Sequence, residues 1–389
     1  MINKITLWVF IGLLSVTVKA QKTFVKDHPD ENFRKGIEMF NKQMYGLSRL
    51  MLDEYYDNTP GANSLMLSDA RYYASACALE LFNANAEVRL NEFVANNPES
   101  SRKPDALYRL GIANFRTKDY KKVLDYFQKV DPYYLNEDEY AEYYFKLGYS
   151  QFATENLDEA SKSFYEIKDK ETKYSVPAIY FYSHIAYVKK NFEPALQGFQ
   201  SISKDELFAP IIPYYITHIY FLQEKYKDVV EYAPPMLDSV NAKRKPDLAR
   251  LIGESYYRMS QYKEALPYLE EYIKTSPDLT REDYFQMGFC YHFSGRYADA
   301  ISVLSKISNE NDLIYQNTAY VLGSSYLHQN DKKSARLAFE SASKYDFDKR
   351  IQEESMFNYA KLTQELSITP FNEAITTFEL FINTFPQSQ

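Results

Sequence analysis

Small and apolar residues recur along this chain with the spacing of paired helices. Between 246 and 279, Ala249, Ile252, Gly253 and Tyr256 step by 3, 1 and 3, which lines one face of a helix. Ser260 and Gln261 then interrupt the pattern. Tyr262, Ala265, Leu269 and Tyr272 step by 3, 4 and 3, one face of a second helix. Gly253 and Ala265 let the two backbones approach closely, and the aromatics fill the space beside them. Neither helix alone can bury its stripe, so the pattern predicts a packed pair.

The pair recurs ten times. Gly36, Ala74, Gly111, Gly148, Ser183, Thr217, Gly253, Gly288, Gly323 and Ala360 mark successive first helices, at intervals of 38, 37, 37, 35, 34, 36, 35, 35 and 37 residues. Twelve residues after the first nine stands a second small or slim residue: Ser48, Ala86, Val123, Ala160, Ala195, Val229, Ala265, Ala300 and Ala335. Ala374 follows Ala360 by fourteen. A period of this length is the mark of a solenoid, in which stacked neighbours make the buried stripe continuous and at least about three units are needed for stability.

The residues around these markers resemble the tetratricopeptide repeat. The family's paired positions 7 and 8 read Leu110-Gly111, Leu147-Gly148, Ile252-Gly253, Met287-Gly288 and Leu322-Gly323. Its position 11 is Tyr256, Tyr291 and Tyr326, and its position 24 is Phe127, Phe164, Phe199, Leu269, Leu304, Phe339 and Phe378. Its position 32 is Pro60, Pro98, Pro277 and Pro386. The resemblance runs over 29–389 and implies an all-α fold, a right-handed α-solenoid superhelix of about ten helix-turn-helix repeats. The units fall near 29–66, 67–103, 104–140, 141–175, 176–209, 210–245, 246–280, 281–315, 316–352 and 353–389. The unit at 210 departs from the pattern: Thr217 replaces the glycine, and Pro234-Pro235 interrupts its second helix. Proline removes a backbone hydrogen bond and clashes with the preceding turn, so that helix is expected to stop near Ala233, as a joint over 233–245 or as a shortened helix. Pro104, Pro177, Pro194, Pro246 and Pro267 are read as lying near helix starts, where proline is tolerated.

Repeat positions 5, 9 and 12 share one face of each first helix, beside the packing face. In the resembled family this face lines a concave groove that holds a peptide. Here it reads Tyr108, Ile112 and Phe115, then Phe145, Tyr149 and Phe152, then Tyr180, His184 and Tyr187. It continues with Tyr214, His218 and Phe221, with Arg250, Glu254 and Tyr257, with Phe285, Phe289 and His292, and with Tyr320, Ser324 and Leu327. The Lys, Arg and Asn set with which one branch of the family grips a terminal carboxylate is missing, and the lining is aromatic instead. Two readings stand: a groove for an extended or helical apolar segment, or rings that pack helix against helix.

Composition narrows the function. Lys plus Arg number 45 against 53 Asp plus Glu, a net charge of −8 that argues against nucleic acid, whose phosphates call for a basic face. His28, His184, His218, His292 and His328 contain no pair three to five residues apart, so one helix offers no metal pair. His184 and His218 share position 9 of adjacent units and could approach across the stack. No nucleophile elbow or phosphate-cradling loop occurs, since Gly253-Glu254-Ser255 lies mid-helix and lacks the final glycine. No catalytic residue, metal site or cofactor is expected. Cys77 and Cys290 sit far apart among apolar residues of first helices and are expected to be buried thiols.

The ends add expectations about place. Lys4, the apolar run Ile5–Val18 and Val18-Lys19-Ala20 fit a signal peptide over 1–20 cleaved before Gln21, with 21–28 a short lead into the repeats. The run is short for a membrane span, and no other segment qualifies. At the other end Ile375, Phe378, Leu380, Phe381 and Ile382 make an apolar surface that wants a neighbour, supplied by a docked partner or by further repeats. The leading expectation is a non-enzymatic protein-interaction scaffold, exported to the periplasm or the outer-membrane periphery. It resembles envelope repeat proteins of the outer-membrane-assembly and Tol–Pal-coordinating kind, and its partners would be other envelope proteins or their peptide segments. The alternatives are a glycan- or peptidoglycan-binding protein, and the targeting arm of a longer protein that continues past Gln389.

Overall fold

The computed structural model describes residues 30–59, 61–276, 278–366 and 373–388. The expected signal peptide, the 21–28 segment, His28, Pro60 and Pro277 lie outside the described residues. The described chain is all-α, with twenty α-helices in ten pairs. It divides between Asn156 and Leu157 into two compact units.

In the first unit the pairs are α1 (Glu31–Asn41) with α2 (Tyr45–Asn58), α3 (Ser64–Glu80) with α4 (Ala86–Asn96), and α5 (Lys103–Arg116) with α6 (Tyr120–Phe127). The helix α7 (Glu137–Ala153) closes this unit. The second unit opens on α8 (Leu157–Tyr165) and runs through α9 (Ser175–Val188), α10 (Phe192–Ser201), α11 (Ile212–Leu222), α12 (Tyr226–Tyr232), α13 (Lys245–Arg258) and α14 (Tyr262–Thr275). It ends with α15 (Arg281–Phe293), α16 (Tyr297–Leu304), α17 (Leu313–His328), α18 (Lys332–Ser343), α19 (Lys349–Leu366) and α20 (Glu373–Thr384). Odd-numbered helices are the first of each pair and even-numbered the second.

The twenty small residues of the sequence pattern are all buried. Within each unit they are buried where the two helices of a pair touch. A Cβ on Gly253 would stand 2.7 Å from Leu269 Cδ2 and 3.2 Å from the Leu269 backbone nitrogen, and one on Gly323 would stand 2.9 Å from the Phe339 ring. The bulky residue sixteen positions after the glycine fills the notch that the glycine leaves. In the first pair a hydrogen bond joins the same contact, Ser48 Oγ donating to the Gly36 carbonyl at 2.8 Å.

A single left-handed residue turns each of the first nine pairs. Gln43, Phe82, Lys118, Glu155, Lys190, Glu224, Ser260, Gly295 and Asn330 all have φ between 55° and 78°. At Lys190 the turn closes with its N–H donating to Tyr187 O at 2.9 Å and Asn191 N–H donating to Ala186 O at 2.8 Å, the Schellman arrangement that satisfies the last helical carbonyls. Only one of the nine is glycine. Lys190→Gly is therefore expected to stabilise the fold by about 1 kcal/mol, the cost of holding an L-residue left-handed, read as a higher urea midpoint.

Helix starts follow local chemistry. Asn136 and Glu139 form a capping box at the head of α7, where Glu137, Asp138 and Glu139 also face the positive end of the dipole. Pro234-Pro235 acts as expected: α12 stops at Tyr232, and Pro234–Met236 continue as one 3-10 turn. The 233–245 segment lies within the second unit, where Ala233, Val240, Leu248 and Ile252 share a core cluster. Pro267 corrects the sequence reading. It is the sixth residue of α14, inside the helix rather than at its start, and the helix continues through it. Both cysteines are fully buried, and burial pushes the Cys290 thiol up to about 12.

Candidate functional site

Within each unit, residues at positions 5, 9 and 12 meet the second helix of their own pair, as Tyr108 meets Phe127, and the first helix of the next, as Phe115 meets Tyr149. In the first unit Phe115 lies 5.6 Å from Tyr149, edge to face, and Tyr149 lies 6.4 Å from Phe145. Phe145, Tyr149 and Phe152 are half-buried on α7. Tyr108 differs from its groove reading: it is 5 % exposed, its ring stacks on Phe127 at 6.1 Å, and its hydroxyl donates to Glu142 at 3.0 Å. That hydroxyl borders a cleft of about 190 Å³ that also holds Arg109, Arg116, Glu80 and Glu139. Arg109 is fixed there by Asp105 at 2.9 Å, Glu80 at 3.3 Å and the Tyr72 hydroxyl at 3.0 Å.

In the second unit the row is denser. Tyr180, His184, Tyr187, Tyr214 and His218 are half-buried, and Tyr215 stands among them, 5.3 Å from Tyr187 and 5.5 Å from His184. Tyr187 shares a 2.6 Å hydrogen bond with His218 Nδ1. The Tyr187 ring lies 6.1 Å from His184 and 5.8 Å from His218, so it mediates between the two histidines that share position 9. Burial lowers the pKa of both imidazoles and pushes the Tyr187 hydroxyl up to about 12, so at neutral pH the cluster carries no charge of its own. Phe221 stands edge to face with Tyr226.

Farther along, Tyr257 packs edge to face on Phe289 at 5.7 Å, Phe285 lies 5.6 Å from Phe289, and Phe293, 55 % exposed, lies 4.5 Å from Phe289. Arg250 is exposed on the same face of α13, with its guanidinium 5.8 Å over the Tyr272 ring and 3.7 Å from Asp283. Tyr320 is half-buried, and its hydroxyl is paired with Glu354. Glu254, by contrast, is buried and bonded to Arg258 at 3.1 Å.

Two contributors lie off the three repeat positions. Arg244, at the N-cap of α13, reaches back so that its guanidinium lies 4.4 Å over the Tyr214 ring. The first residue of the second helix is aromatic in six pairs: Tyr45, Tyr120, Phe192, Tyr226, Tyr262 and Tyr297. Five of these rings pair with position-12 or position-13 neighbours, as Tyr120 does with Phe115 at 5.9 Å and Tyr262 with Phe293 at 5.1 Å. Their recurrence nine residues after the marker is the signal that locates them.

His292 gives the surface a pH dependence. Ser325 Oγ donates to the Val321 carbonyl at 2.7 Å, so its oxygen accepts at 2.8 Å from His292 Nδ1, which fixes the Nδ1-protonated tautomer. Burial, aided by His328, lowers His292 to about 4. The unfolded chain, with an ordinary histidine pKa near 6.5, then binds more protons than the folded chain at mildly acidic pH. This contribution to stability is complete above about pH 6.5 and is lost as pH falls toward 4. Melting temperatures recorded from pH 7 to pH 4 should fall, and His292→Gln should fall less steeply over the same range. Parallel profiles would remove His292 as the cause.

Among the described residues no group of three or more His, Cys, Asp or Glu stands together to hold a metal, and no helix is long and apolar enough to cross a membrane. Residues 251–278 match the family model of the tetratricopeptide repeat. These residues take in the second half of α13 and the whole of α14, and the other pairs repeat the buried notch, so the fold is of the tetratricopeptide-repeat solenoid class. No curated protein matches the chain. Among solved structures, YrrB, described as a TPR protein with an unusual peptide-binding site, is 19 % identical with a TM-score of 0.42, covering 50 % of this chain and 98 % of its own. The C-terminal part of a TPR repeat-containing protein from Cytophaga hutchinsonii is 16 % identical with a TM-score of 0.40, covering 69 % and 98 %. The Naa15/Naa10 complex bound to HypK-THB is 11 % identical with a TM-score of 0.48, covering 92 % and 58 %.

Proposed function

We infer that this chain is a non-enzymatic scaffold that holds segments of partner proteins against the aromatic faces of its first helices. The observation that carries this reading is the half-buried state of those rings. Phe145, Tyr149, Tyr187, Tyr214, Tyr257 and Phe289 are each half-buried, packed on their surroundings yet not closed off from solvent. Rigid rings held this way offer contact area at small entropic cost. Arg250 and Phe293, both exposed beside them, mark the accessible edge of the second-unit surface. The partners are proteins of the bacterial cell envelope, in the periplasm or at the outer-membrane periphery, a placement that rests on the leader-like pattern of residues 1–20.

A photo-crosslinking side chain at position 250 should capture one or a few defined envelope proteins. The same side chain at Glu159, exposed on α8, should not. Equal capture from both positions would refute the assignment of the surface.

A further inference from the structure

Each unit carries a second kind of cleft, between a first helix and the two second helices beside it. In the first unit, α2, α3 and α4 enclose about 450 Å³ lined by Tyr56, Ser68, Arg71, Glu92 and Asn96. In the second, α9, α10 and the end of α8 with its following loop enclose about 280 Å³ lined by Tyr165, Lys168, Asp169, Ser183 and Gln197. The two share a chemical plan although their sequences do not align residue for residue. A tyrosine stands exposed at the rim, Tyr56 at 41 % and Tyr165 at 58 %. A cation leans over that ring, Arg71 at 5.3 Å and Lys168 at 4.9 Å. The cation is paired with a carboxylate, Arg71 with Glu92 at 3.3 Å and Lys168 with Asp169. A carboxamide side chain completes the lining, Asn96 in one and Gln197 in the other. At the floor lies a serine whose buried Oγ finds no hydrogen-bond partner among the described residues, Ser68 in one and Ser183, 0 % exposed, in the other.

A buried hydroxyl without a partner costs free energy unless a ligand or water supplies one. Gly198 makes room for Ser183, because a Cβ there would collide with the serine hydroxyl. The lining charges cancel within each cleft, one cation against one carboxylate, so neither favours a charged ligand. What remains is an exposed ring to stack on and a close set of donors and acceptors. We propose that each cleft binds the ring of a neutral saccharide, with its C–H face on Tyr56 or Tyr165 and its hydroxyls bonded to the ion pair and the carboxamide. The volumes lie near the lower end for small-molecule sites, which suits one or two sugar rings.

Saturation-transfer NMR on the folded chain, with methyl β-glucoside and N-acetylglucosamine as probes, tests this. The expected result is transfer to the pyranose C–H protons from at least one probe. Tyr56→Ala and Tyr165→Ala should each remove about half of the signal and together abolish it, as independent sites do. Both rings are exposed, so far-UV circular dichroism should not change. Transfer from neither sugar, an unchanged signal in the double variant, or equal transfer to cyclohexanol, which has the ring but one hydroxyl, would overturn the proposal. None of these results bears on the protein-binding faces, whose residues lie outside both clefts.

Discussion

Phe199→Ala is expected to destabilise the second unit by about 3–5 kcal/mol, the range for deleting a buried phenylalanine. Phe199 is 0 % exposed, and its ring stacks on Tyr215 at 4.9 Å and lies 6.2 Å from Tyr180. Its removal opens a cavity directly beneath the aromatic row, because Tyr215 also supports Tyr187 and His184. Partner binding through this part of the surface should weaken with it. Phe199→Leu, which refills most of the volume, should restore most of the stability. Urea denaturation checks the first effect. A loss under about 1 kcal/mol would mean that the ring is not part of a packed core.

Gly253→Leu should cost about 3 kcal/mol, the upper end of overpacking costs. The new side chain would enter space already held by Leu269, which is 3 % exposed and flanked by Ala265 and Met287 in one cluster. The backbone nitrogen of Leu269, 3.2 Å from the new Cβ, cannot move aside as a side chain tip can. Gly46 is the control. It lies exposed in α2, and a Cβ placed there would meet nothing within 4 Å, so Gly46→Ala should stabilise by about 0.5 kcal/mol through helix propensity. Opposite signs at two helical glycines would establish that the repeat marker is a steric notch. Equal and small effects would undo the assigned register.

The fold was legible because its signal is repeated. One glycine among apolar residues means little, but ten markers with ten partners describe a contact that must recur, and the structure buries all twenty. The turns were less legible. Left-handed backbone is read from glycine or asparagine, and here Gln43, Lys118, Glu155 and Lys190 adopt it under the constraint of the helices they join. Pro267 misled for a related reason: packing on Ala265, Leu266 and Leu269 holds α14 together across a residue that local propensity would use to end it.

The binding surface was legible in part. The 5, 9 and 12 positions do lie on one face, yet spacing alone cannot say how deeply each ring sinks. Tyr108 is buried because Phe127 and Glu142 take both its ring and its hydroxyl, while Arg250 at the same repeat position is exposed. Arg244 escaped notice because it belongs to a loop and reaches the surface of the preceding pair. Around α20, Ile375, Leu380 and Ile382 are 47 %, 54 % and 62 % exposed, as the apolar pattern there implied.

Proteins held on the aromatic faces of the first helices should be recoverable with the chain itself. Affinity capture from solubilised cell envelope, using the chain from Gln21 onward, tests this most directly when run beside the Tyr149→Ala/Tyr187→Ala double variant. The expected result is one or a few envelope proteins enriched by the native chain and lost from the variant, with both chains equally helical by circular dichroism. Enrichment of the same proteins by a folded double variant, or of none by the native chain, would contradict it.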